Sequence, residues 1–598
     1  MKKIVTTILI LISCIVCVLA KPAKPGFFRF TQPDGSTILI QRHGDEWAHW
    51  TTNESGQVVR MDDDGFYRVV EGTTPEMAAQ AASIRRKARK QLISTPSQAP
   101  VAVGQKKFLV VLAEFSDKSF TVANPQQAFS DMLNEKGYSD NGATGSARDY
   151  YYENAHGIFE PIFDVFGPVK LSQTVSYYGK NDSYGNDENA HLAIRDACKA
   201  LDSTVDFSQY DLDGDGEVDL VYLVYAGKGE ADGGASNTIW PHQWFLYSSA
   251  GVSLNLDGKR IDRYACGSEL NGSGTIDGLG TICHEFGHAM GLPDFYDTDY
   301  DTNGQARTLL DFSLMDAGSY NNNGWTPPYL NMEERIMIGW LSEDDVLEFP
   351  RNGSYTLESV QNNVGYKIPT EKEGEYILLE CRNDEGWDSA LPAFGLIAYH
   401  VDKSSRTISI GSGDTSSAYD LWANWDYYNA INENGNHPCF YVIASASPYS
   451  CSYGMQYYSS YGMYAYTKPY TDLPFPGGKN VTSYTPRSWD GTDTQIKLSS
   501  IAYADGKVGF TVSGIVSPSV DYHTIANPGK GIYAAGSSFN LTLVEAEDRP
   551  VQSVSWSFDG QEVSASSVTL SAGKHLVEAK VSLADGRTDF VTLELEAK

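Results

Sequence analysis

The spacing of hydrophobic positions changes several times along this chain, and each change marks a different kind of element. Between residues 21 and about 82, short alternating runs such as STILIQ and GQVVRMDDDGFYRVV are set off by Pro-Asp-Gly and Asp-Asp-Gly turn signals. Alternation with period two predicts half-buried strands, and so a small β-rich module. From Lys107 the runs become continuous, as FLVVLAEF and, at 219–227, DLVYLVYAG. Unbroken apolar runs of this length predict strands covered on both faces. Between them ARDYYYENAHG follows Ser146, a capping residue, and predicts a helix. Strands alternating with helices imply an α/β domain with a central sheet. Beyond Trp340 the chain turns β-rich, with EYILLECR and GLIAYHVD as strands and PFPGG and WDGT as turns. The last segment, about 516–598, alternates around two Asp-Gly turns, the pattern of an immunoglobulin-like sandwich. The fold class expected for the whole is multidomain α+β.

The ends decide the compartment. MKK, an apolar run from Ile4 to Leu19, and small residues up to Ala20 read as a signal peptide over residues 1–20. No later stretch is long and apolar enough to span a bilayer, so the expected mature protein is exported, either released or at the cell surface, with no transmembrane helix. A net charge of −31 argues against nucleic acid as a partner and suits a secreted or calcium-binding protein. Six cysteines remain after signal removal, at irregular spacings that leave any disulfide pairing open. SIRRKARKQ, residues 83–91, is a basic cluster in an acidic chain, followed by the linker-like STPSQAPVAVGQ. It reads as a processing site, with residues 21–105 forming a pro-region ahead of an enzyme.

Candidate chemistry begins at DLDGDGEVD, residues 211–219. Asp211, Asp213 and Asp215, with Gly216 at the turn, give the alternating carboxylates that wrap a hard cation, and Asp219 supplies a further ligand. The EF-hand's bidentate glutamate position holds Tyr222, so this is a calcium loop of another kind. The second motif is HEFGHAMGLPD, from His284. His284 and His288 share one helix face, with Glu285 beside them, the arrangement of zinc ligands and general base in H-E-x-x-H hydrolases. Gly291 and Leu292-Pro293 end the helix and turn the chain back, which brings Asp294 forward as third ligand in preference to the rivals Glu333 and Glu334. Cys283 is turned about 100° from the His284 face and reads as a buried structural cysteine. His242 is as well explained by core packing as by function.

These residues carry a family resemblance. HEFGHAMGLPD resembles the extended metzincin motif with aspartate as third ligand, and FSLMDAGSY, residues 312–320, resembles the Met-turn. With ARDYYYENAHG, FGPVK, YYG, TIWPH and DSALPAFGLIAYHVD, the stretch from about 106 to 515 resembles the secreted metallopeptidases of the immune inhibitor A family. The resemblance implies zinc on His284, His288 and Asp294, Glu285 as general base, Met315 as hydrophobic floor and Tyr320 as oxyanion donor. It implies a catalytic domain over 106–345, a β-sandwich-like region over 346–515 packed beside it, and an inhibitory region before residue 106. That region has no cysteine to block zinc, leaving Asp45, Asp62, Asp63 and Asp64 as candidate blocking groups. A strand at 260–268 is expected to border the cleft and pair with an extended peptide.

The reading that follows is a secreted, zinc-dependent endopeptidase made as a zymogen, acting on protein or peptide substrates, with Ca²⁺ as a second metal. The C-terminal segment has no visible chemistry and reads as a spacer or as a contact for glycans or surfaces. The alternative is a non-catalytic surface-binding protein with a structural metal site. Glu285 favours the enzyme, because a structural zinc site has no use for an unliganded carboxylate.

Overall fold

The computed structural model describes residues 22–598 except 46–48, 63, 76, 79–101, 183–186, 299–305, 410–417, 422–424, 426–430, 459–462, 516–522, 528–532 and 547–548. The expected signal peptide, the basic cluster at 83–91 and Asp63 lie outside the described residues. The chain is α+β, and among the described residues no helix is long and apolar enough to cross a membrane.

The N-terminal alternation forms a five-stranded antiparallel meander, β1 (Phe28–Thr31), β2 (Thr37–Gly44), β3 (His49–Asn53), β4 (Val58–Met61) and β5 (Tyr67–Val69). The continuous apolar runs form a second five-stranded sheet from β6 (Gly104–Glu114), β7 (Phe159–Lys170), β8 (Val221–Lys228), β9 (His242–Phe245) and β10 (Arg263–Leu270). Its spatial order is β9-β10-β8-β6-β7, with all neighbours parallel except β9, which runs antiparallel to β10. The runs are apolar at every position because both faces are covered. Phe108, Val110 and Leu112 of β6 join a core with helices α1 (Pro125–Asn134), α2 (Ala147–Asn154) and α4 (Leu279–Ala289). Leu109, Val111 and Ala113 face the opposite core, against α3 (Ala190–Leu201). Helix α2 starts where its sequence predicts: the Ser146 hydroxyl accepts from Asp149 N–H, and the Asp149 carboxylate accepts from Ser146 N–H.

The segment expected as one strand at 260–268 is divided. Lys259–Ile261 belongs to a small sheet with residues 217–218 and 255–256, while Arg263–Leu270 lies between β8 and β9. The edge of the sheet is therefore β9, because apolar pattern specifies a strand but not its neighbours.

The β-rich half shares its interior with the first. In an antiparallel sheet of residues 366–369, 375–382, 395–402 and 440–443, Ile397, Tyr399 and Val401 point into the core that contains α4. Leu396 and Ala398, on the other face, pack with Leu357, Leu498, Val508 and Phe510 of a three-stranded sheet. One hydrophobic core thus runs across the boundary expected near residue 345. Near the C-terminus, Val551–Phe558, Gln561–Val563, Gly573–Leu583 and Thr588–Ala597 form a four-stranded antiparallel sheet. Asp559 and Gly560, both at positive φ, make the tight turn that the Asp-Gly pair predicts.

Candidate metal centre

Every residue of α4 is buried, the polar His284, Glu285 and His288 included. Asp277 anchors its start, accepting from Gly278 N–H at 3.0 Å and from Thr281 Oγ1 at 2.7 Å. At its end Gly291 adopts φ 99°, a left-handed conformation that a side chain would strain, and the chain reverses. The reversal carries Asp294 back to the histidine face.

His284 and His288 stack edge to face, ring centroids 4.5 Å apart. Their Nδ1 atoms lie 2.8 Å from the carbonyls of Leu314 and Leu292 respectively. A carbonyl only accepts, so each Nδ1 carries and donates the proton, and each neutral ring turns a bare Nε2 to the same point. Both Nε2 atoms are 3.3 Å from Asp294 Oδ1, in a fully buried setting. Burial, and then His288, hold His284 below its usual pKa. Burial pushes Asp294 up, but the two histidines more than reverse this. Three electron-pair donors facing one another in a dry interior are unfavourable without a cation among them. Two imidazole nitrogens and one carboxylate oxygen are a zinc donor set that leaves a coordination position open, so these residues fit that metal.

Met315 lies against the helix. A Cβ on Gly287, between the histidines, would come within 2.9 Å of Met315 Sδ. The Met315 carbonyl accepts from Phe295 N–H at 3.0 Å, tying the Met-turn-like segment to the loop that carries Asp294. Glu285 is fully buried and shares its surroundings with two phenols. Burial, then Asp232, Asp277 and Glu285, push Tyr320 far above its usual pKa; burial and then Glu285 do the same to Tyr222. The Tyr320 hydroxyl donates at 2.7 Å to the main-chain carbonyl of Pro22, in the segment leading into the N-terminal meander.

Other candidates fall elsewhere. Glu334 caps helix α5 (Met332–Ile338) and accepts from Ser313 Oγ at 2.5 Å, and Glu333 pairs with Lys403 at 2.7 Å, so neither rival joins the histidines. Cys283 packs in the core, its thiol pushed up by burial. His242 is a core histidine, with Nδ1 on the Trp240 carbonyl and Nε2 on the Tyr264 hydroxyl. Asp62 is held by its own hairpin, accepting from the backbone of Asp64 and Phe66 and pairing with Arg68. Asp45 is buried beside His49, and among the described residues no carboxylate of the N-terminal module joins the zinc-type cluster. Asp211, Asp213 and Asp215 converge, while Asp219 stands outside that group and accepts from Leu212 N–H at 2.5 Å. Burial, then the other three aspartates, push Asp219 up to about 6. Lys259 Nζ already lies 2.5 Å from Asp211.

Sequence reasoning missed Tyr151, whose hydroxyl donates at 2.6 Å to the Cys283 carbonyl of α4, and Tyr222, whose hydroxyl lies beneath the site near Gly267. Only the aromatic run in ARDYYYENAHG hinted at Tyr151. It also missed Glu230, a wholly buried carboxylate that the N-terminal module meets with Arg42 at 3.1 Å and His49 at 3.4 Å.

A zinc-type triad with an adjacent glutamate on a buried helix is a side-chain set suited to metal-assisted hydrolysis, and comparison with known proteins bears on the class. Residues 101–328 match the family described as immune inhibitor A peptidase M6, catalytic domain. Among curated proteins, Pre-pro-metalloprotease PrtV of Vibrio cholerae is 28% identical over 269 residues, which is 38% of this chain and 29% of PrtV. Immune inhibitor A of Bacillus thuringiensis subsp. alesti is 26% identical over 269 residues, 38% of each chain. The match thus spans well under half the length of either relative. A crystal structure of OgpA from Akkermansia muciniphila aligns with 84% of this chain and 96% of its own at 9% identity, with a TM-score of 0.22, too low to define a shared fold.

Proposed function

We propose that the protein is a secreted zinc endopeptidase, made as a zymogen, that hydrolyses peptide bonds in extracellular proteins. The observation that carries this reading is the convergence of His284 Nε2, His288 Nε2 and Asp294 Oδ1, with both histidine tautomers fixed by backbone carbonyls and Glu285 beside them. Bound zinc supplies the Lewis acidity that makes water nucleophilic near neutral pH. Glu285 takes the proton released as water attacks the peptide carbonyl and hands it to the departing amine. Tyr320 donates a hydrogen bond to the carbonyl oxygen as negative charge grows there. The Leu314 and Leu292 carbonyls hold the imidazoles in register, and Met315 packs the helix from below.

Latency is supported by the same region. In the unprocessed chain the Tyr320 hydroxyl is occupied by the Pro22 carbonyl, and Arg42 and His49 fasten the N-terminal module to Glu230. Cleavage in the linker before residue 106 releases both. Asp211, Asp213 and Asp215 are read as a calcium site remote from the chemistry, and the C-terminal β-module as a spacer or a contact for surfaces or glycans.

Casein hydrolysis by the proteolytically activated chain tests the enzyme reading, with wild type, chelator-treated wild type and Glu285→Ala side by side. Cleavage by wild type alone is expected, the glutamate variant losing about 10²–10⁴ in rate while keeping its zinc. A folded, zinc-loaded, activated wild type that cuts no protein across a varied panel overturns it.

A further inference from the structure

The residues around Pro22 do more than cover Tyr320. Ala23 N–H donates to the Gly44 carbonyl at 2.9 Å, and Lys24 N–H donates to the Ala231 carbonyl at 3.1 Å. The segment therefore runs between β2 and the turn at residues 230–232, main chain to main chain, as a bound peptide does. Two residues beyond the carbonyl held by Tyr320, the Lys24 side chain turns into the wall: Nζ lies 2.9 Å from Asp232 Oδ2 and 5.8 Å from the Tyr320 ring centroid. Asp232 is 5% exposed, and its other oxygen, Oδ1, has no hydrogen-bond partner among the described residues. A carboxylate so deeply set is costly unless a cation meets it. Gly272 makes its space, since a Cβ there would stand 2.6 Å from Oδ1. The other cation nearby, Lys228, is committed to the Gly272 carbonyl at 2.6 Å.

We propose that Asp232 is the base of a specificity subsite that takes a lysine or arginine side chain of the substrate, and that Lys24 fills this subsite in the unprocessed chain. Removal of the N-terminal module takes away the cation that meets the carboxylate and opens the wall between Tyr320 and the 230–232 turn. A substrate with a basic residue at the matching position restores the ion pair, the contact with the Tyr320 ring and the main-chain bond to Ala231. A neutral or acidic residue there forgoes the ion pair with Asp232 and the contact with the Tyr320 ring.

The inference rests on the peptidase reading, so two measurements separate their fates. The first follows cleavage of a diverse peptide library by the activated full chain, as wild type, Asp232→Asn and Asp232→Lys. Expected is enrichment of Lys and Arg at one fixed position in wild type, a preference of about tenfold in kcat/KM over norleucine. The preference should vanish in Asp232→Asn and turn toward Asp and Glu in Asp232→Lys. The second follows binding of the pentapeptide KPAKP, residues 21–25, to activated Glu285→Ala chain by fluorescence anisotropy, against the same peptide with norleucine for its second lysine. Tighter binding of the lysine peptide, lost on adding Asp232→Asn, supports the subsite even if no substrate is cut, in which case the peptidase reading alone falls. Chelator-sensitive proteolysis with no basic preference, or a preference unchanged in both Asp232 variants, overturns the subsite and leaves the peptidase standing. Asp232→Asn keeps the side chain's shape, and unchanged zinc content and thermal unfolding verify that it folds.

Discussion

Tyr320 carries two assignments on one hydroxyl, and they predict different behaviour before and after processing. In the activated enzyme, Tyr320→Phe removes a donor that acts as charge develops, so kcat falls by about 10²-fold with little change in KM. In the unprocessed chain the same change removes only the bond to the Pro22 carbonyl, a loss of about 1 kcal/mol in module docking. Steady-state kinetics on a defined peptide and a thermal melt of the unprocessed chain read the two effects separately. At this scale the ligand candidates were legible because the spacing in HEFGH and the glycine-proline stop are local. The groups that orient them were not: the Leu314 carbonyl reaches His284 from 30 residues away, and any residue type offers a carbonyl. Tyr151 and Tyr222 escaped for a related reason, since an aromatic in a core run looks like packing until its hydroxyl has a neighbour.

At the scale of elements, α4 is fixed by what cannot be added to it. A Cβ on Gly280 would stand 1.8 Å from the backbone carbonyl oxygen of Ser319, whereas one on Gly287 meets the flexible end of Met315 at 2.9 Å. Gly280→Ala should therefore cost more than about 3 kcal/mol or prevent folding, and Gly287→Ala about 1 kcal/mol with loosened zinc binding. Urea unfolding with parallel metal analysis checks the order, and a larger penalty at Gly287 contradicts it. The start of α2 could be read from its cap and the end of α4 from its glycine-proline stop, and the two-sided burial of β6 from its unbroken apolar run. Sheet order could not be read. The short edge strand β9 follows a run of Gly, Ala and Ser, and nothing local says that it, rather than 260–268, lies outermost.

For the whole molecule, the contact between the N-terminal meander and Glu230 predicts a latch. Arg42 reaches Glu230, the Gly234 carbonyl, Thr51 and Tyr67 in a buried setting. Arg42→Ala leaves Glu230 with only His49 from the meander and the Asn181 amide, so the unprocessed chain should gain casein-cleaving activity at least about tenfold without proteolysis. Retained latency in a folded, zinc-loaded variant would deny the latch. This cluster joins Arg42 to residues as distant as Gly234, 192 positions away, and was illegible, because an arginine in an alternating strand reads as solvent-facing. Calcium belongs to this scale too. If Asp211, Asp213 and Asp215 hold it, millimolar Ca²⁺ raises the melting temperature and Asp213→Asn removes that rise; competition from Lys259 keeps the affinity modest.

The free thiols are distributed as though to watch separate layers. Cys283 sits on α4, Cys198 and Cys266 on the opposite face of the central sheet, and Cys381 between the sheets of the β-rich half, all buried, with Cys451 half-buried. Burial raises each of these thiols above its normal pKa, so a thiol reagent finds the deep ones only when their own layer opens. The chain thus carries internal reporters of local opening, and the order in which they become labelled would show which part of the molecule yields first.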